Sequence, residues 1–162
     1  MRLDHIAYRV TDRHKAAEFL KATLNYRTVT EFEIKFDDES TAECLVLEPA
    51  AGARHISPEI FVSNGTTDSI VDKWVQERGG TGGIHHMAYQ VLHIEDKVKE
   101  WKEKGVEFLT ENVIDCPDDN MRQIFTKPLD HLGGIIIELI ERGDKGFCQN
   151  NVKNLMNSTK GL

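Results

Sequence analysis

Four side chains have the types and spacing to hold a metal ion: His5, Glu59, His86 and Glu138. The histidines form a pair because Leu3-Asp4-His5-Ile6-Ala7-Tyr8-Arg9-Val10 returns as Ile84-His85-His86-Met87-Ala88-Tyr89-Gln90-Val91. Each phrase alternates as a strand does, so His5 shares a face with Leu3, Ala7 and Arg9, and His86 obeys the same parity. A duplication with one imidazole at the same place in each half offers two imidazoles to one shared site. Each half also ends on a carboxylate. Glu59 opens Glu59-Ile60-Phe61-Val62, and Glu138 interrupts the apolar run Ile135-Ile136-Ile137-Glu138-Leu139-Ile140. Divalent ions take such mixed imidazole and carboxylate sets, and a carboxylate inside an apolar run needs a positive partner. His85 points to the face opposite His86 and does not join the same ion. His14, His55, His93 and His131 fall in helix or loop contexts and read as surface residues.

The elements that position these groups repeat as well. After the first strand, Thr11-Asp12 caps a helix whose Ala16, Ala17, Phe19, Leu20 and Leu24 recur at helical spacing up to Asn25. Strands are expected over Tyr26 to Phe36, Thr41 to Glu48 and Glu59 to Ser63, with Pro49-Ala50-Ala51-Gly52 as a loop. A short helix over Asp68 to Arg78 leads to Gly79-Gly80-Thr81-Gly82-Gly83, which precedes a strand, lacks a following Gly-Lys-Ser/Thr, and reads as a flexible linker rather than a phosphate loop. The second half repeats the order: strand His86 to Val91, helix Ile94 to Lys104, strands near Val106 to Leu109 and Met121 to Thr126, and a strand over Gly134 to Glu141. The fold class is α+β, from paired β-α-β-β-β modules in one domain over 1–162. Module one covers about 1–65, a linker helix 66–83, module two about 84–142 and a tail 143–162. Phe147, Val152, Leu155 and Met156 in the tail fit one face of a terminal helix that packs over the site's mouth.

The net charge of −7 and pI near 5.5 argue against nucleic-acid and anionic-membrane partners, which want a basic face. With no apolar signal segment and no membrane-length apolar run, a cytoplasmic location is expected. Cys44, Cys116 and Cys148 make an odd set without CxxC spacing, which suits free thiols, with Cys44 in the core.

The repeat, the two histidines and the two carboxylates resemble the vicinal oxygen chelate superfamily (glyoxalase, bleomycin resistance and dioxygenase proteins) over essentially the whole chain. The resemblance implies paired modules curled into a cup-shaped mixed sheet, helices outside, around one divalent ion, and a homodimer. Gly82-Gly83-Ile84-His85-His86-Met87-Ala88, Lys102-Glu103-Lys104-Gly105-Val106 and Gly133-Gly134-Ile135-Ile136-Ile137-Glu138-Leu139 look like methylmalonyl-CoA epimerase. Arg122-Gln123-Ile124-Phe125-Thr126-Lys127-Pro128-Leu129, Ile140-Glu141-Arg142 and Gly146-Phe147 with Asn151 look like the C-terminal domain of 4-hydroxyphenylpyruvate dioxygenase.

These two likenesses imply different chemistry. The dioxygenases hold Fe(II) with two histidines and one glutamate, which leaves room for a bidentate 2-oxo acid and dioxygen. The epimerases and glyoxalases add a fourth ligand, and Glu59 is the residue that would supply it. The alignment also sets Glu43 at a catalytic carboxylate of the epimerases. Glu43 and Glu138 would then flank a carbon next to a thioester, with the ion as Lewis acid. On this basis the expected function is a metal-dependent isomerase or epimerase with His5, Glu59, His86 and Glu138 as ligands and Glu43 and Glu138 as catalytic groups. The expected substrate is a small carbonyl compound or acyl-CoA, and Co, Ni, Zn, Mn and Fe stay open for the ion. Gln123 and Phe125 match dioxygenase positions near the substrate. The alternative is an Fe(II) dioxygenase of 2-oxo acids, and a third is a non-catalytic resistance-type binding protein. Lysines 97, 99, 102 and 104 would meet coenzyme A phosphates or simply form a solvated helix face.

Overall fold

The computed structural model describes residues 1–162 except Gly52 and Arg54, so the end of the expected loop at Gly52 lies outside the described residues. The fold is α+β, in two β-α-β-β-β modules. The chain divides into two compact units: His5–His85 with Gly161–Leu162, and His86–Lys160 with Met1–Asp4.

In the first unit, β1 (Arg2–Arg9) leads through α1 (Arg13–Leu24) to β2 (Tyr26–Lys35), β3 (Thr41–Pro49) and β4 (Glu59–Gly65), with α2 (Ile70–Gln76) following. The strand order is β2-β3-β4-β1, with β1 and β4 parallel and the others antiparallel. The Asp12 carboxylate accepts from the amides of His14 and Lys15 to start α1, a cap worth about 1 kcal/mol, and Asn25 ends it in the left-handed conformation. One sheet face packs on α1 through Ala17, Leu45, Leu47, Ile60 and Val62, joined by Ile6 and Tyr8. The pleat therefore sends His5, Ala7, Arg9, Cys44, Val46, Glu48, Glu59 and Phe61 to the opposite face.

The glycine cluster forms a turn that leads into the next strand. Gly79, Gly80, Gly82 and Gly83 all have positive φ, and a Cβ on Gly82 would lie 2.0 Å from the carbonyl oxygen of Arg9. Thr11 Oγ1 also donates to the Gly80 carbonyl at 2.6 Å.

In the second unit, β5 (Gly83–Gln90, its residues from His86) leads through α3 (Ile94–Glu103) to β6 (Ile114–Asp115), β7 (Arg122–Phe125) and β8 (Ile136–Glu141), in the order β5-β8-β7-β6. The opening residues belong here: buried Asp4 accepts from Arg142 Nε at 2.9 Å and Nη2 at 2.6 Å. α3 covers one face through Val91, Ile94, Val98, Ile124 and Leu139, and its first turn is capped by Glu141, which accepts from the Ile94 amide at 3.0 Å. The strand expected over Val106 to Leu109 forms only a single bridge, Phe108 to Thr126; the segment then breaks into a turn, and the short β6 takes the edge position.

The tail does form a helix, α4 (Gln149–Ser158), with Val152, Leu155 and Met156 buried. It seats Leu155 against Phe125 and Ile136, on the sheet face opposite α3. Cys116 and Cys148 form a disulfide, contrary to the expectation of free thiols: α4 begins beside the end of β6, a proximity that a separation of 32 residues conceals. Cys44 is free and buried, and burial pushes its thiol up to about 12. Among the described residues no helix is long and apolar enough to cross a membrane.

Candidate metal centre

The second unit by itself brings two candidate ligands together. β5 and β8 run parallel, with His86 opposite Ile136 and Ala88 opposite Glu138, so both functional side chains lie on the face that α4 covers. Glu138 is 1 % exposed, and its Oε2 lies 3.0 Å from His86 Nε2. Two donor atoms each about 2.1 Å from one ion, at right angles, are about 3 Å apart, so this pair fits a divalent ion. The other carboxylate oxygen is committed: Gln123 Nε2 donates to Glu138 Oε1 at 2.7 Å. Phe125, opposite Glu138 on β7, packs its ring 4.7 Å from the imidazole of His86. Gln123 and Phe125, expected near the substrate, sit beside Glu138 and His86, and Gln123 is 1 % exposed.

In the first unit, His5 is buried and pairs with Glu59 across β1 and β4, so the two share a face. The rungs nevertheless differ between the units. Glu138 stands opposite Ala88, two residues beyond His86. The matching place in the first unit, opposite Ala7 and two residues beyond His5, is held by Phe61, which is 6 % exposed. Glu59 is half-buried and one same-face step, about 6–7 Å, away from that place. Equal residue intervals hid this offset, because an interval counts loop residues as well as rungs.

Glu43 is not on this face. It pairs with Asn64 and Glu33, on the side of Leu45 and Val62, and its carboxylate approaches Arg13 of α1 at 4.0 Å. Burial, followed by a hydrogen bond and repulsion from Glu33, raises its pKa above the usual carboxylate range. Strand parity thus separates it from His5 and Glu59. The carboxylate of β3 that does share their face is Glu48, buried, accepting from Arg27 Nε at 2.6 Å. Sequence reading passed over Glu48, whose only signal was its parity with Cys44.

His85 is buried and set edge-on to Trp74, ring centroids 5.2 Å apart, consistent with its opposite parity to His86. His14, His55, His93 and His131 are exposed. Lys97 and Lys104 are bonded to Glu100 at 2.5 and 2.6 Å, as on a solvated helix face.

Residues 4–125 match the model of the Glyoxalase/Bleomycin resistance protein/Dioxygenase superfamily. The chain belongs to this superfamily. Among solved structures of the same fold are a methylmalonyl-CoA epimerase (24% identity, TM-score 0.69, 86% of this chain and 93% of that one) and the methylmalonyl-CoA epimerase of Mycobacterium tuberculosis (25%, 0.65, 86% of each). A mutant 4-hydroxymandelate synthase from Streptomyces coelicolor aligns at 22% identity and TM-score 0.82 over 98% of this chain, which spans 54% of that one; at that identity it shows the fold alone. Comparison with curated proteins finds no match. Superfamily members generally use a divalent metal, and the His86 and Glu138 pair suits one.

Proposed function

We propose that His5, His86 and Glu138 hold one ferrous ion and that the chain is an oxygenase of a 2-oxo acid. The observation that carries this reading is Phe61 on the rung where a fourth ligand would mirror Glu138. Two imidazoles and one carboxylate leave room on iron for a bidentate 2-oxo acid and dioxygen, whereas a fourth protein ligand leaves too little. The duplicated phrase supports His5 as the third ligand, since it stands in β1 where His86 stands in β5. Gln123 holds one oxygen of Glu138 and keeps the carboxylate an acceptor. Phe125 supplies an apolar wall beside the ligands, suited to an aromatic substrate tail.

The second reading is epimerisation next to a thioester. It is favoured by Glu59, which shares the face of His5 and would coordinate if its side chain reached along the strand. It is weakened by Glu43, which faces α1. The test is protein loaded with Fe(II) under nitrogen and then given aryl pyruvates in an oxygen electrode. Stoichiometric oxygen uptake with release of carbon dioxide is expected. Solvent deuterium entering an acyl-CoA thioester under Co(II), with no oxygen uptake, would transfer the chain to the second reading. Failure to bind any divalent ion would leave a non-catalytic binding protein.

A further inference from the structure

Asn151, in the first turn of α4, is 0 % exposed, and its side-chain amide reaches across to β6 and β7. Its Nδ2 lies 3.1 Å from Gln123 Oε1, 3.3 Å from the Met121 carbonyl oxygen and 3.4 Å from that of Ile114. Three acceptors around one atom admit only the amide nitrogen there, so the two carbonyls fix which way the Asn151 amide points. Asn151 Oδ1 is correspondingly buried with no hydrogen-bond partner among the described residues, a cost the fold carries to keep the nitrogen in place. With Asn151 donating, Gln123 must turn its oxygen to α4 and its nitrogen to Glu138. Reversed, Gln123 would set its carbonyl oxygen against a carboxylate oxygen.

We infer that Asn151 is a positioning residue of the metal centre: through Gln123 it selects which oxygen of Glu138 is tied up and which is left for the ion. The inference rests on the metal reading above. The helix that carries Asn151 is itself fixed at its start, because Cys148, immediately before the helix, is joined to Cys116 beyond β6. A C-terminal segment outside the duplicated modules thereby sets the geometry of a ligand on β8.

The experiment compares wild type with Asn151→Leu, which keeps the branched shape and removes the donor, and with Val152→Ala, which loosens α4 without touching the amide chain. Co(II) affinity is measured by calorimetry, the Co(II) absorption bands are recorded, and folding is checked by circular dichroism and thermal melting. Asn151→Leu is expected to weaken Co(II) about tenfold or more and to shift the bands, as loss of a ligand's supporting hydrogen bond does elsewhere. Val152→Ala should melt earlier yet bind Co(II) within about twofold of wild type. Adding Gln123→Leu to Asn151→Leu should cost little more than Gln123→Leu alone, because the two act in series. If the leucine variant does not fold, Asn151→Ala carries the test. Folded Asn151 variants that bind like wild type, or a Val152→Ala loss as large as theirs, would overturn the inference. A wild type that binds no ion would overturn the metal reading itself.

Discussion

Both modules of the chain place a histidine on an early strand and pair that strand in parallel with the last one, yet they fill the rung beyond it differently. In the second, Ala88 faces Glu138; in the first, Ala7 faces Phe61. The second module also surrounds its carboxylate with Gln123, and Gln123 with Asn151, whereas the first puts an aromatic core residue at that place. A duplicated fold thus yields unequal halves: each carries a histidine at the matching place, and one half alone carries a hydrogen-bonded carboxylate two residues beyond it. On the proposed reading, these unequal halves would leave coordination positions open on the ion, as an oxygenase requires.

The comparison breaks most visibly at Glu138. Glu138→Ala is expected to weaken Fe(II) or Co(II) binding on the order of a hundredfold or more, read by anaerobic calorimetry, since it removes the only carboxylate of the proposed set. If it bound as wild type does, the second module would lose its special role. Phe61→Glu would make the halves alike. Metal should then bind at least as well while oxygen uptake falls by about tenfold or more, because the added ligand competes with substrate and dioxygen. Next in size is Gly82→Ala, which tests the turn joining the modules. With φ +72° and the Arg9 carbonyl in the way, it should cost about 2 kcal/mol, seen as a lower melting temperature.

Two glutamates should matter little, each for a reason of register. Glu59→Ala is expected to leave metal affinity within about threefold; a loss matching that of Glu138→Ala would restore the four-ligand set. Glu43→Gln should leave the reaction intact and act on stability alone. The fold raises the pKa of Glu43, so between its ordinary and raised values the folded chain holds more protons than the unfolded one. Stability falls as pH rises through that window. Removing the charge should therefore lift the melting temperature by a degree or two at pH 8, a few tenths of a kcal/mol, and do nothing at pH 3.

Much of this was legible beforehand because it is local. The pleat of the two repeated phrases, the Asp12 cap, the left-handed Asn25 and the apolar face of α4 all follow from neighbours within a few residues. The Cys116 and Cys148 disulfide and the fragmentary edge at Val106 to Leu109 do not, since both depend on which segment lies alongside. Asn151 stood in a stretch already singled out by resemblance, but its role needed the distance to Gln123.

By itself the sequence determined the duplicated architecture, the two histidines on matching strands and the buried Glu138, because side-chain alternation and hydrophobic period are properties of the chain alone. Only the tertiary structure decided that Phe61 mirrors Glu138, that Glu43 turns toward α1, and that Asn151 of α4 reaches Gln123. Strand register and face are set by pairing between distant segments, and loops of unequal length erase that information from residue counts.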